Sequence, residues 1–327
     1  MEHRLSRAAV RIVISVGVLV ALASFLDAGE VLARLRDLHG GWVLAALAIS
    51  LPQALALAWR WRFTAGRIGL PLPFRTALAE YYLGNFLNQV LPGGVTGDVS
   101  RAWRHARTDA PAGPAVRAVV LERLSGQVVM TAIALASVSL LPTLSPRLRA
   151  VAAMLLVFGL AALVWVALRT GTRSLGPEPD RTSPAERLWE DARRSVLAPD
   201  AAILQLGSAL FTVATYIAVY LCAAQALRVG TPWWQLAPLV APVLMTMLLP
   251  ISVAGWGIRE AAAAALWSSV GLSPEDGVAI SVGYGLLVLV STLPGALVLS
   301  GAAARGPARR ARRRLDGSAE PEDEAHR

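Results

Sequence analysis

Two arginines, Arg101 and Arg259, each end a segment that follows one sequence template. The first segment, Leu91 to Arg101, reads LPGGVTGDVSR, and the second, Leu249 to Arg259, reads LPISVAGWGIR. Each follows an apolar run, and its proline should stop a helix because proline removes a backbone donor and clashes with the preceding turn. Interrupted apolar segments at matching positions indicate a transporter-type binding site, unless two kinked helices match by chance.

The first segment has the residue types of a phosphate site. A helix that restarts after the proline would present the backbone N–H groups of Gly93, Gly94 and Gly97, and a helix N-terminus attracts anions. Arg101, about one turn further on, adds a side chain suited to bidentate phosphate binding. Asp98 either belongs to this site or is the N-cap of the restarted helix.

The second segment carries a corresponding loop and charges. Gly255, Trp256 and Gly257 form the predicted loop, and Arg259 and Glu260 follow it. We expect the arginine of each segment, together with the two helix starts, to hold one anionic group.

Polar side chains also precede the first proline. Tyr81, Asn85 and Asn88 have the spacing of one helical face, and Glu80 lies beside them. Such a face either lines a polar cavity or makes hydrogen bonds between helices.

Glu122 and Arg123 lie near the start of a later apolar run. Ionisable residues inside a membrane span cost about 2.5–3.5 kcal/mol each, so this pair is either a structural ion pair or functional. Tryptophans at the ends of apolar runs are interpreted as membrane-interface anchors. These are Trp42, Trp59, Trp61, Trp233 and Trp234.

The composition is that of a membrane protein. The chain has 327 residues, of which 55% are hydrophobic and 16% charged, and its mean hydropathy is +0.53. The net charge is +9 and is carried entirely by arginine, because the sequence contains no lysine. Arginines that cluster between apolar runs indicate membrane orientation rather than nucleic-acid binding.

Several chemistries lack the residues they need. Without lysine the chain has neither a P-loop lysine nor a Schiff-base lysine. Its single cysteine, Cys222, excludes an internal disulfide. We expect no cofactor and no metal, because the histidines lack metal-ligand spacing. They are His3, His39, His105 and His326.

Arginine placement orients the predicted spans. The segment 77–91 has arginines on both sides, so it should enter from the cytoplasm and return there. The last span should end in the cytoplasm, because a cluster of arginines follows it. The segment 233–249 and its restart near residue 258 should therefore enter from the outside and return there. The first apolar run is either an uncleaved span or a signal peptide. Full spans are predicted at about 12–26, 42–59, 116–141, 148–168, 201–227 and 277–304, and a surface helix at 184–196.

The predicted fold is an all-α integral membrane protein with both termini in the cytoplasm. About six full transmembrane helices and two re-entrant helical hairpins form an inverted repeat. The membrane domain covers 1–304, with repeat one at about 9–142 and repeat two at about 148–304. The tail, 305–327, is basic and then acidic, and we expect it to be disordered.

Three motifs carry a resemblance to a known family. YYLGNFLNQVLPGGVTGDVSRAW, ERLSGQ, and LPISVAGWGIRE followed by GLSPEDG resemble the flippase-like membrane-domain family, named for the transmembrane part of lysylphosphatidylglycerol synthase. The resemblance extends from about Trp42 to the last predicted span. It implies roles for Asn85, Pro92, Gly93, Gly97, Asp98, Arg101, Glu122, Arg123, Gly255, Gly257, Arg259 and Glu260.

The resemblance implies movement of a phospholipid or glycolipid across the bacterial inner membrane. No soluble aminoacyl-transferase domain is visible in the chain, so we do not expect aminoacylation. The leading hypothesis is a lipid translocase, not an enzyme, that moves an anionic phospholipid or lipid-linked sugar. One alternative is an accessory subunit of a separate glycosyltransferase or lipid-modifying enzyme. Another is an intramembrane enzyme that uses Glu122, Asp98 or Glu260, although their spacing is not that of paired catalytic carboxylates.

Overall fold

The computed structural model describes Gly29 and residues 36–91, 95–108, 111–171, 183–248 and 252–300. This part of the chain is helical throughout and contains no strand. The helices are α1 (Gly40–Arg67), α2 (Phe74–Val90), α3 (Thr96–Thr108), α4 (Ala112–Leu140), α5 (Pro146–Gly171), α6 (Pro184–Ala192), α7 (Pro199–Ala226), α8 (Trp233–Met245), α9 (Ile258–Ser269) and α10 (Pro274–Thr292).

Five helices of the described chain are long and apolar enough to cross a membrane, so this is a multi-pass membrane protein. They are α1, α4, the Pro146–Leu163 part of α5, α7, and α10 with its continuation to Ser300. All five were predicted, with boundaries a few residues different. The sixth predicted span, 12–26, and the tail, 305–327, lie outside the described residues.

Local sequence sets where several helices begin. The helices α5, α6, α7 and α10 start at a proline, whose missing N–H and fixed φ suit the first helical position. Ser183 caps α6 by accepting a hydrogen bond from the Glu186 N–H at 3.3 Å, and Glu186 accepts one from the Ser183 N–H at 2.8 Å. The helix predicted at 184–196 is confirmed, and its second part is a π-helical turn (Arg193–Leu197).

The helix α1 is longer than predicted. It continues past the predicted end at about residue 59 through Arg60, Arg62 and Arg67. Arg67 is held at the helix end by Asp200 of α7 at 2.6 Å. The side chain of Arg60 is buried inside the bundle.

Each template segment joins two helices that pack against each other. The first joins α2 to α3, and the second joins α8, through a short 3-10 turn (Thr246–Leu248), to α9. Small residues allow the closest approaches, as is usual between membrane helices. A Cβ added to Gly97 of α3 would overlap the Gly84 carbonyl oxygen of α2. A Cβ added to Gly277 of α10 would lie 2.9 Å from the Ala263 carbonyl oxygen of α9.

The two halves of the chain also meet directly. Gly295, after α10, lies against the backbone of Tyr82 in α2, where a Cβ would not fit. One apolar core forms around α1 to α4, and a second, which includes Trp267 and Tyr220, forms around α4 and α7 to α10.

Candidate functional site

The start of α3 is tied to α2 by a side-chain hydrogen bond. The Gly97 N–H donates to Oδ1 of Asn88 at 2.7 Å, so this backbone donor already has a protein acceptor. Asp98 lies in the first turn of α3 and not at its cap. Gly93 and Gly94, predicted to present further donors, lie outside the described residues.

Arg101 is a buried structural cation. Its side chain is 2% exposed, and its guanidinium donates to Glu122 at 2.7 Å and to Asp98 at 3.0 Å. The rings of Trp61 and Tyr81 lie on it, with centroids 5.0 and 4.9 Å from Cζ. Trp61 is therefore buried beneath Arg101 rather than anchored at the membrane interface as predicted, because the cation holds it inside the fold.

Arg123 occupies a different position from Arg101. It pairs with the second oxygen of Asp98 at 2.7 Å, so one carboxylate bridges two arginines. Its side chain is 34% exposed and its Nε has no hydrogen-bond partner in the described structure. Glu122 and Arg123, adjacent in the sequence, thus separate into a buried partner of Arg101 and an accessible cation.

The second template segment folds around a comparable arginine. Arg259 is 1% exposed and donates to Glu260 at 2.7 Å and to the hydroxyl of Ser281 at 2.9 Å. The rings of Trp256 and Tyr284 lie 5.1 and 5.4 Å from its Cζ. The two template arginines therefore share one arrangement, in which two aromatic rings, a carboxylate and a partner on the following long helix surround the guanidinium.

Glycine backbone geometry forms the loop before α9. Gly255 and Gly257 have φ values of +84° and +87°, a region that favours glycine. The Gly257 N–H donates to Oε2 of Glu260 at 2.6 Å, so the first free donor of α9 is also satisfied within the chain. Glu260 consequently joins the loop to Arg259 and is fully buried.

A cavity of about 750 Å³ lies between the two template segments. Its wall combines polar side chains with apolar ones such as Val99, Trp103 and Val116. Five predicted site residues line it: Asn85, Asn88, Asp98, Arg123 and Gly255. Sequence reasoning missed other polar lining residues, because all of them except Ser252 lie outside the two template segments: Ser50, Gln53, Tyr82, Gln89, Gln127, Tyr216, Ser252, Ser291 and Thr292.

The remaining predicted residues do not line this cavity. Glu80 lies 3.5 Å from Arg104 of α3 in an ion pair. The other predicted residues that the structure describes pack next to the residues that line the cavity. They are Tyr81, Gly97, Arg101, Glu122, Trp256, Gly257, Arg259 and Glu260. Within the described ranges, no group of three His, Cys, Asp or Glu residues is placed to hold a metal ion.

Comparison with known proteins gives one result. A family model described as the lysylphosphatidylglycerol synthase TM region matches residues 8–295. No curated protein matches the chain.

Proposed function

Because the chain belongs to the lysylphosphatidylglycerol synthase TM-region family, we propose that it is a lipid translocase of the bacterial inner membrane. In this proposal it moves an anionic phospholipid or a lipid-linked sugar between leaflets without making or breaking a covalent bond. The observation that carries the proposal is the cavity between the two template segments, with polar groups and an accessible arginine in an otherwise apolar wall.

The size and lining of the cavity suit a lipid headgroup. Ligand pockets usually measure about 300–1,000 Å³, and this one measures about 750 Å³. Asn85 and Gln127 offer amide groups that can hydrogen-bond a phosphate or a sugar. The apolar part of the wall can accept the start of an acyl chain while the rest of the chain stays in the bilayer.

Arg123 is the residue we assign to the anion. Among the described residues that line the cavity, it is the only arginine, and its side chain is 34% exposed. Arg101 and Arg259 were predicted to contact the headgroup, but both are buried within ion pairs behind the wall. We therefore assign these two a positioning role and give the direct contact to Arg123.

The proposed transport movement involves the two halves of the chain, each of which contains one template segment. We propose that α2–α3 and α8–α9 are re-entrant hairpins of opposite orientation, which rock against each other and open the cavity to one membrane face at a time. The matched surroundings of Arg101 and Arg259 support this repeat. A rigid layer behind each loop would let each half move as a unit.

Reconstitution tests the proposal. Purified protein in liposomes should expose inner-leaflet, headgroup-labelled phosphatidylglycerol to an impermeant quencher faster than protein-free vesicles do. Arg123→Gln should slow this at least tenfold, because a charge-assisted hydrogen bond contributes about 1.5–3 kcal/mol. The matched control is Arg62→Gln, which removes an exposed arginine from α1.

The translocation rates of Arg123→Gln and Arg62→Gln test the role of Arg123, and the behaviour of the wild type tests the translocase proposal. Equal rates for Arg123→Gln and Arg62→Gln would remove the anion-binding role of Arg123. Wild-type protein that translocates no lipid, but purifies in fixed ratio with a glycosyltransferase or lipid-modifying enzyme, would instead favour an accessory subunit.

A further inference from the structure

A small side pocket of about 50 Å³ opens between α1, α4 and α7. It shares wall residues with the large cavity, among them Arg123, Gln127 and Tyr216. The two spaces therefore adjoin along these shared side chains. Arg60 lines the side pocket but not the cavity.

Among the described residues, Arg60 is a buried cation without a carboxylate partner. It is 1% exposed, and only its Nη2 makes hydrogen bonds, to the hydroxyl of Ser125 at 2.9 Å and weakly to a backbone carbonyl at 3.5 Å. Its Nε and Nη1 are buried without a hydrogen-bond partner in the described structure. An unpaired buried charge is strongly destabilising, so a folded protein that keeps one needs a reason outside its own packing.

The surrounding charges do not neutralise Arg60. Asp98 bridges Arg101 and Arg123, and the carboxylate of Glu122 pairs with Arg101. The buried cluster thus contains three arginines and two carboxylates, which leaves one positive charge without a described counterion. The deficit falls on Arg60, because the other two arginines already have carboxylate partners.

The guanidinium of Arg60 packs beside Gly126 of α4, where an added Cβ would lie 3.4 Å from Nη2. Arg60 lines the side pocket, and its Nε and Nη1 have no protein acceptor in the described structure. A guanidinium with two free donors matches a pair of anionic oxygens on one phosphorus atom.

We propose that the side pocket is a phosphate subsite, in which Arg60 binds the anionic oxygens of a phosphate group and Arg123 and Gln127 bind its cavity side. The side pocket, about 50 Å³, is far smaller than the cavity of about 750 Å³, so it takes the oxygens and leaves the rest of the ligand in the cavity. The inference rests on the proposed function, since the same cavity holds the ligand. The phosphate belongs either to a lipid phosphodiester or to free inorganic phosphate.

Binding to the full chain in micelles of a phosphate-free detergent tests the subsite, with inorganic phosphate and short-chain phosphatidylglycerol as calorimetric probes. Wild type should bind the lipid alone if the source is a lipid, or both probes if free phosphate also fits. Arg60→Gln should weaken the binding at least tenfold, and Arg62→Gln should leave it unchanged.

Thermal unfolding without a probe supplies a second readout. Arg60→Gln and Arg60→Met should unfold at or above the wild-type temperature, because each removes an unpaired buried charge, and neither should be further stabilised by the probes. Lower unfolding temperatures for both variants, or unchanged affinity, would overturn the subsite.

Translocation distinguishes the two proposals. If wild type moves lipid, but its probe affinity is equal to that of Arg60→Gln, then the subsite is wrong and the proposed function stands. If wild type neither binds a probe nor moves lipid, then both are overturned.

Discussion

The contact between α2 and α3 at Gly97 is a sharp test of the architecture. A Cβ on Gly97 would overlap the carbonyl oxygen of Gly84, which is backbone and cannot swing away as a side chain can. Gly97→Ala must therefore push α3 away from α2 by about 1 Å or more. The hydrogen bond from the Gly97 N–H to Asn88 would be lost, and Asp98, which pairs with two arginines, would move with the helix.

The size of the effect follows from these contacts. Overpacking costs about 1–3 kcal/mol, and the loss of the Gly97–Asn88 hydrogen bond adds about 1 kcal/mol. The sum, about 2–4 kcal/mol, should lower the unfolding midpoint by about 4–8 °C at roughly 2 °C per kcal/mol. Translocation should fall further, because the displaced α3 carries part of the cavity wall.

The assay compares thermal unfolding in detergent with translocation in liposomes. The control is Gly66→Ala, since Gly66 lies on the exposed side of α1 with no atom near an added Cβ. There alanine should be neutral or slightly stabilising, as expected for an exposed helical glycine. Wild-type unfolding and wild-type translocation of Gly97→Ala would refute the close packing of α2 on α3.

Three further changes probe the charge clusters and a cap. Glu122→Gln should destabilise the protein by about 3–5 kcal/mol, since it removes the carboxylate 2.7 Å from Arg101; an unchanged unfolding midpoint would show that the pair is not needed. Ser281→Ala should cost about 1–3 kcal/mol by the same measurement, because Nε of Arg259 loses an acceptor at 2.9 Å, and Ser281→Thr should largely restore it. Ser183→Ala should speed hydrogen exchange in α6 by the loss of about 1 kcal/mol of capping while translocation stays at the wild-type rate; equally slow exchange would contradict the capping box.

The helices were largely predictable because their signals are local. An apolar run sets the length of a span, and a proline with a charged first turn sets its start, as at Pro274 of α10. The restart at Ile258 also follows from the glycines before it. The error at the end of α1 has a tertiary cause. Arg60 reads as a loop residue until the packing of α1 on α4 places Ser125 beside it.

The site was only partly predictable. The template identified Arg101 and Arg259 as unusual, but not that each lies between two aromatic rings. Those rings come from separate places in the sequence: Trp61 and Tyr81 around the first arginine, and Tyr284 with the adjacent loop around the second. Of these partners only Trp256 is near its arginine in the sequence, so the sequence could not show which cation faces the cavity.

Part of the cavity wall was also not predicted, because its residues come from distant parts of the sequence. Gln53 and Tyr216 lie on α1 and α7, which the template does not include, and each contributes one polar group among apolar neighbours. An isolated glutamine or tyrosine in a span has several structural explanations. Assembly of the helices is what makes these residues part of one surface.

Thiol labelling of cavity residues from each membrane face is the most direct test of whether one water-filled cavity opens in turn to each side. In a Cys222→Ala background, Asn85→Cys and Ser291→Cys place thiols in the cavity wall on α2 and α10, and Leu155→Cys places one on the exposed face of α5. An impermeant thiol reagent should label the two cavity positions from either side of the membrane and leave Leu155→Cys unlabelled. Labelling of both cavity positions from one face only, or from neither, would contradict the account.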